Sequence, residues 1–187
     1  PPVLLDELDQ YFYINSTPFW NKSFELLNTE EAELRFEICN YFSNRKRVGS
    51  KHETAMHIIS AFNRFSEENI SPLDVIKRAE DIDDRTLIKV GKLYQWYKEK
   101  LLLSNMVDFS LLQQMALKQL ENSDNTSFEF KHVIIDEYQD TNKIQESIFF
   151  HIGKGNKNLC VVGDDDQALY RFRGATVENF VQFPSRC

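Results

Sequence analysis

Two short apolar runs, "HVIID" (His132 to Asp136) and "NLCVVG" (Asn158 to Gly163), restrict this chain's architecture more than any other feature. Each is rich in β-branched residues and too short for an ordinary helix, the pattern of strands buried on both faces. Between them "TNKIQESIFFHIG" sets Ile144, Ile148 and Ile152 four residues apart on one helical face, with Thr141 or Asp140 to open the helix and Gly153 to close it. Strand, helix and strand make a βαβ unit, with parallel strands and a right-handed crossover. Ligands of such sheets bind beyond the carboxyl ends of the strands. Both acidic clusters, "DEYQD" from Asp136 and "GDDDQ" from Gly163, fall there.

Upstream the periodicity is helical, from about residue 28 to 121. "NTEEAELRFEICNYF" pairs Asn28 with Glu31 as a capping box, and Leu34, Ile38 and Tyr41 share a face. "SPLDVIKRAE" offers Ser71 as N-cap, Pro72 in the first helical position and Asp74 in the first turn. A longer helix from Arg85 to Leu102 aligns Leu87, Val90, Tyr94 and Leu101. Asp108 caps "FSLLQQMALKQL", with Leu112, Met115 and Gln119/Leu120 as its stripe. Such stripes are first of all core packing. The basic run "NRKRVGSK", Asn44 to Lys51, lies in a loop between helices, either solvated or touching phosphates. At "ENSDNTS" the composition turns polar, dividing a helical part, residues 1–125, from a βαβ part, residues 126–187. The class expected is α/β: a mostly helical N-terminal subdomain plus a small parallel unit.

A formal net charge of -7 excludes a generally basic nucleic-acid binder, because non-specific affinity comes chiefly from neutralised phosphates. Any DNA contact must be local. Three cysteines without C-x-x-C spacing, and four scattered histidines, suggest neither a disulfide framework nor a zinc site. No apolar run approaches the roughly 18 to 20 residues of a membrane span and no signal peptide is visible, so a cytoplasmic setting is expected. Pro1-Pro2 lacks an initiator Met and "FPSRC" stops just after an apolar segment, so the chain reads as a piece of a longer protein.

Asp136 stands at a strand end, where a carboxylate can hold Mg²⁺ through water, leaving Glu137 to act on an attacking water. A solvated acidic turn is the other reading of these two residues. On the second strand, Asp164 is followed by Gln167, whose amide can both donate and accept and so sense a terminal phosphate. Beyond it Tyr170 and Phe172 alternate with Arg171 and Arg173. In an extended segment the two aromatics share one face and can stack on bases, worth about 1 to 3 kcal/mol each. Packing against another domain is the alternative.

"VIIDEYQDTN" followed by "VVGDDDQALYRFRGA" resembles motifs II and III of the UvrD/Rep-like superfamily 1 DNA helicases, most strongly from Phe128 to Phe183. "MVDFSLL", Met106 to Leu112, resembles the segment that precedes motif II, and residues 1 to about 104 resemble the family's inserted helical subdomain in character and position. The resemblance implies part of a RecA-like (P-loop NTPase) motor domain, with ATP and Mg²⁺ as cofactors. It assigns Asp136 to Mg²⁺, Glu137 to water activation, Asp164 to the nucleotide site and Gln167 to the γ-phosphate. Tyr170 and Phe172 correspond to aromatics that stack on single-stranded DNA, and Arg173 to an arginine near DNA and the nucleotide cleft. Implied partners are single-stranded DNA, duplex junctions and the remaining motor domains of a parent chain.

The family's G-x-x-x-x-G-K-[ST] loop is missing, and "GKGNK", Gly153 to Lys157, follows a helix where that loop follows a strand. The chain by itself is therefore expected to bind nucleotide weakly and not to hydrolyse ATP. The phosphate-loop strand packs beside the motif III strand in this family, so "NLCVVG" is expected to present an apolar edge open to self-association. Two alternatives differ in class. A receiver-type aspartyl-phosphate domain lacks its acidic pair on an earlier strand. A non-hydrolysing helicase-like DNA-binding or scaffolding module has no physical need for Asp136, Glu137 and Gln167 together.

Overall fold

Helix starts follow a common rule in this chain: a short side-chain oxygen accepts one of the backbone amides that lack an intrahelical partner. The computed structural model describes residues 1–122, 130–153 and 158–164. Asp6 opens α1 (Glu7–Ile14) by accepting the Asp9 amide at 2.8 Å. Ser16 opens α2 (Thr17–Leu27), Ser71 opens α5 (Pro72–Asp81) as its spacing predicts, and Asp84 opens α6 (Arg85–Leu103). Two further helices, α3 (Glu31–Ser43) and α4 (Lys51–Glu67), flank the basic loop. The expected capping box of α3 does not form. Asn28 instead ends α2 in the left-handed region (φ 47°), and Glu30 precedes α3 without a side-chain cap. Asn suits both jobs, because its short amide tolerates left-handed backbone as readily as it caps.

The described residues group into two compact units, 1–65 with 70–111, and 66–69 with those from 112 onward. The first is built around large aromatic side chains. Phe19, Trp20, Phe62, Tyr94 and Tyr97 are all essentially buried, with Ile14, Leu34, Ile38, Ile58, Leu93 and Leu101 around them. Phe62 lies 5.2 Å from both Tyr94 and Tyr97, within the range of favourable ring pairs. Each buried Leu, Ile or Phe among them contributes about 1.5–3 kcal/mol through burial. On the expected stripes Val90, Tyr94 and Leu101 are buried, while Tyr41 is exposed and donates its hydroxyl to Asp84 at 2.8 Å.

A polar cluster sits within that core. Strand β1 (Val3–Leu5) pairs in parallel with β2 (Met106–Asp108), setting Leu5 opposite Asp108. The buried Asp108 carboxylate accepts from Tyr97 Oη at 2.7 Å, from Gln10 Nε2 at 3.2 Å and from the Leu111 amide at 2.6 Å. Burial, then the Asp108 charge, pushes the Tyr97 hydroxyl well above the usual tyrosine range. The Leu111 contact is the expected cap of α7 (Phe109–Asn122). The face of α7 differs from expectation: Leu111 and Leu117 are buried, whereas Leu112 and Met115 are exposed. One residue turns a helix face by about 100°, so a stripe read one position late points to solvent.

In the second unit β3 (Val133–Ile135) pairs with β4 (Leu159–Val161) in parallel, with α8 (Lys143–Gly153) between them in sequence. The cap of α8 is Asn142 rather than Thr141 or Asp140. Asn142 Oδ1 accepts the Gln145 amide at 3.0 Å, and Gln145 Oε1 accepts the Asn142 amide at 3.1 Å, a reciprocal capping box. Among the described residues no helix is long and apolar enough to cross a membrane.

Candidate functional site

Asp136 follows directly on β3, so it stands at the carboxyl end of the strand, where the βαβ pattern puts ligands. Strand pairing continues one step past the strands themselves: the Val162 amide donates to Ile135 O at 2.8 Å, and the Tyr138 amide donates to Val162 O at 3.0 Å. Between these bonds the chain turns sharply through Glu137, whose backbone is left-handed at φ 51°, ψ 41°. Among the described residues six non-glycines have positive φ, and the other five are Asn or Asp. Glutamate has no short side chain to favour that region, so the conformation is imposed by its surroundings, as strained positions at functional sites are.

The surroundings are specific. The Glu137 amide donates to Asp136 Oδ1 at 2.9 Å, locking the two acids into one corner. A single 3₁₀ turn, Tyr138–Asp140, follows. Tyr138 is buried and donates its hydroxyl to Glu146 Oε1 of α8 at 2.6 Å. Gln139 is buried too: its Nε2 donates to Glu137 Oε2, and its Oε1 accepts the Asp164 amide at 2.9 Å. The amide's orientation is set by its neighbours, since the reverse would oppose oxygen to carboxylate and NH₂ to N–H.

Asp136 and Glu137 are both exposed. Hard carboxylate oxygens with an open side suit Mg²⁺, which takes one or two carboxylates and otherwise keeps water and phosphate oxygens. Asp164 is brought to the same corner through its backbone. Gln167, Tyr170, Phe172 and Arg173 lie outside the described residues. Gln139 carried no signal of its own in the sequence, because its two partners are 2 and 25 residues away on different turns.

The UvrD/REP helicase N-terminal domain family matches residues 6–187. The chain belongs to this family. Among its relatives, the ATP-dependent DNA helicase PcrA of Staphylococcus epidermidis is 32% identical over 142 residues, covering 74% of this chain and 19% of the relative. That of Bacillus subtilis is 28% identical over 167 residues, 87% of this chain and 22% of the relative. The Staphylococcus aureus protein is 31% identical over 150 residues, 78% and 20%. This member of the UvrD/REP family thus spans about a fifth of the length of the curated relatives it matches.

Two other clusters lie in the first unit. The basic loop after α3 is exposed, yet Arg45 and Arg47 pair with Glu53 of α4 at 3.2 and 2.8 Å. Exposed pairs of this kind add little stability. Cys39, Glu53 and His57 bring potential ligand atoms within 4.8 Å of one another, a grouping their sequence spacing hides. Because two guanidiniums already hold Glu53, a cation there meets like charge, and the geometry suits a structural ion pair better.

Proposed function

We propose that this chain is the motif II and III part of an ATP-dependent DNA helicase that couples Mg-ATP hydrolysis to movement along single-stranded DNA and duplex unwinding. The observation that carries the reading is the Asp136–Glu137 corner: two adjacent exposed carboxylates at a parallel strand's carboxyl end, held by a strained turn. Asp136 would hold Mg²⁺, which neutralises charge on the phosphates of ATP when bound. Glu137 accepts a proton from the attacking water as the water oxygen bonds to the γ-phosphorus and the bond to the ADP oxygen breaks, giving ADP and phosphate. Gln167 contacts the γ-phosphate, Asp164 borders the nucleotide, and Tyr170, Phe172 and Arg173 engage single-stranded DNA.

The working site needs the remaining motor domains of a parent protein, because the G-x-x-x-x-G-K-[ST] loop is not in this sequence. The chain alone does not sustain ATP turnover under this reading. Its setting is cytoplasmic, and the outer edge of β4, where Cys160 and Val162 are exposed, offers a place for self-association.

The test is single-stranded-DNA-stimulated ATP hydrolysis by the native-length parent. Stimulated turnover in the wild type that falls by about 100-fold or more in Glu137→Gln supports the motor and the base together. No turnover in the wild type favours a DNA-binding or scaffolding module, and full turnover in the variant removes Glu137 from the mechanism.

A further inference from the structure

Gln139 is buried at 2% exposure, and both ends of its amide are engaged on functional segments: Glu137 at the end of β3 and the Asp164 backbone beyond β4. A glutamine whose only work was to fill space would cost a buried amide for no gain over an apolar residue. We infer that Gln139 is a positioning residue, a strut that aims the Glu137 carboxylate and ties its orientation to the placement of the segment that begins at Asp164. The inference rests on the proposed role of Glu137 as base.

Three features support the strut. Glu137 is on a left-handed turn, which fixes where its side chain starts, and a bond at the carboxylate fixes where it ends. That bond comes from Gln139 Nε2, on the 3₁₀ turn whose own start is anchored by Tyr138, through its amide to Val162 O and its hydroxyl to Glu146. The far end of the same amide holds the first residue of the acidic run that leads to Gln167. A displacement of Asp164 therefore pulls on Oε1 and turns Nε2 away from Glu137. Because the amide is planar and rigid, motion at one end is conveyed to the other without a intervening rotor.

The test is a double-mutant cycle in the native-length parent, joining Gln139→Met, which keeps the volume and loses both bonds, to Glu137→Gln. In the wild-type background Gln139→Met should lower kcat by about tenfold or more while KM for ATP stays within about threefold. In the Glu137→Gln background it should change kcat by less than about twofold, because a residue acting through Glu137 has nothing left to aim. Without nucleotide, amide exchange across residues 162–164 should speed up in Gln139→Met. Should Gln139→Met fail to fold, Gln139→Glu reads the same end: it keeps the acceptor for the Asp164 amide, replaces the donor to Glu137 with a second carboxylate, and should lower kcat at least as far. An unchanged kcat, or an equal loss in both backgrounds, overturns the strut while leaving the function intact. A wild-type parent without DNA-stimulated turnover overturns both.

Discussion

The helical unit and the acidic corner solve opposite problems. In the first, Trp20, Phe62, Tyr94 and Tyr97 are buried among aliphatic side chains, and even the charged Asp108 is enclosed and satisfied by Tyr97, Gln10 and the Leu111 amide. In the second, Asp136 and Glu137 are exposed just past the end of β3, and the Glu137 backbone takes a conformation that glutamate disfavours. Stability accumulates where side chains find partners within the fold. Reactivity requires groups that are aimed from within the fold yet keep an open side for a ligand, and strain that the surrounding bonds must hold.

Unfolding measurements on variants should break this contrast if it is wrong. The largest effect is expected for Trp20→Ala, which opens a cavity in the aromatic core and should cost about 3–5 kcal/mol in urea unfolding followed by circular dichroism. Asp108→Ala comes next, at about 2–4 kcal/mol, since it removes a helix cap and takes the acceptor from the buried Tyr97 hydroxyl, which keeps only the bond it accepts from Gln10. The strain at Glu137 is isolated by comparing Glu137→Gly with Glu137→Ala, because both lose the carboxylate that accepts from the buried Gln139. Only glycine relieves the left-handed turn, so it should be the more stable of the two by about 0.5–1 kcal/mol. An alanine variant as stable as the glycine variant would show that the turn is not strained.

The smallest effect concerns pH. His57 stacks on Phe42 at 5.7 Å, and burial holds its pKa below the ordinary 6.5. The unfolded chain therefore binds that proton more readily, and stability should decline as pH falls below 6.5 toward the lowered folded value. Comparing urea midpoints at neutral and mildly acidic pH, His57→Phe should decline less than the wild type. An equal decline would assign the acid sensitivity elsewhere.

Much of the second unit was legible because its signals are local. β-branched runs around a four-residue isoleucine repeat name strand, helix and strand, and the acids at the strand ends follow from that order. Helix starts at Ser71 and Asp108 were equally plain. Other features needed information that lies elsewhere in the chain. Asp140, Thr141 and Asn142 can all cap, and only Gln145, three residues beyond Asn142, selects among them. Strands β1 and β2 are three residues each and about a hundred apart in sequence, so no local pattern pairs them. Glu137 gave no sign of its left-handed turn, since the residue type argues against it. The far contact of Gln139 exists only once Asp164 has been folded back beside it.

The most direct measurement is ATP hydrolysis by the native-length parent, with single-stranded DNA present, as Mg²⁺ is raised for wild type, Asp136→Asn and Glu137→Gln. If the two carboxylates divide the work, Asp136→Asn should raise the half-saturating Mg²⁺ by about tenfold or more, whereas Glu137→Gln should lower the plateau about 100-fold without moving the midpoint. Identical curves for the two variants, or a wild-type Mg²⁺ dependence in Asp136→Asn, would contradict the assignment of metal and base to this corner.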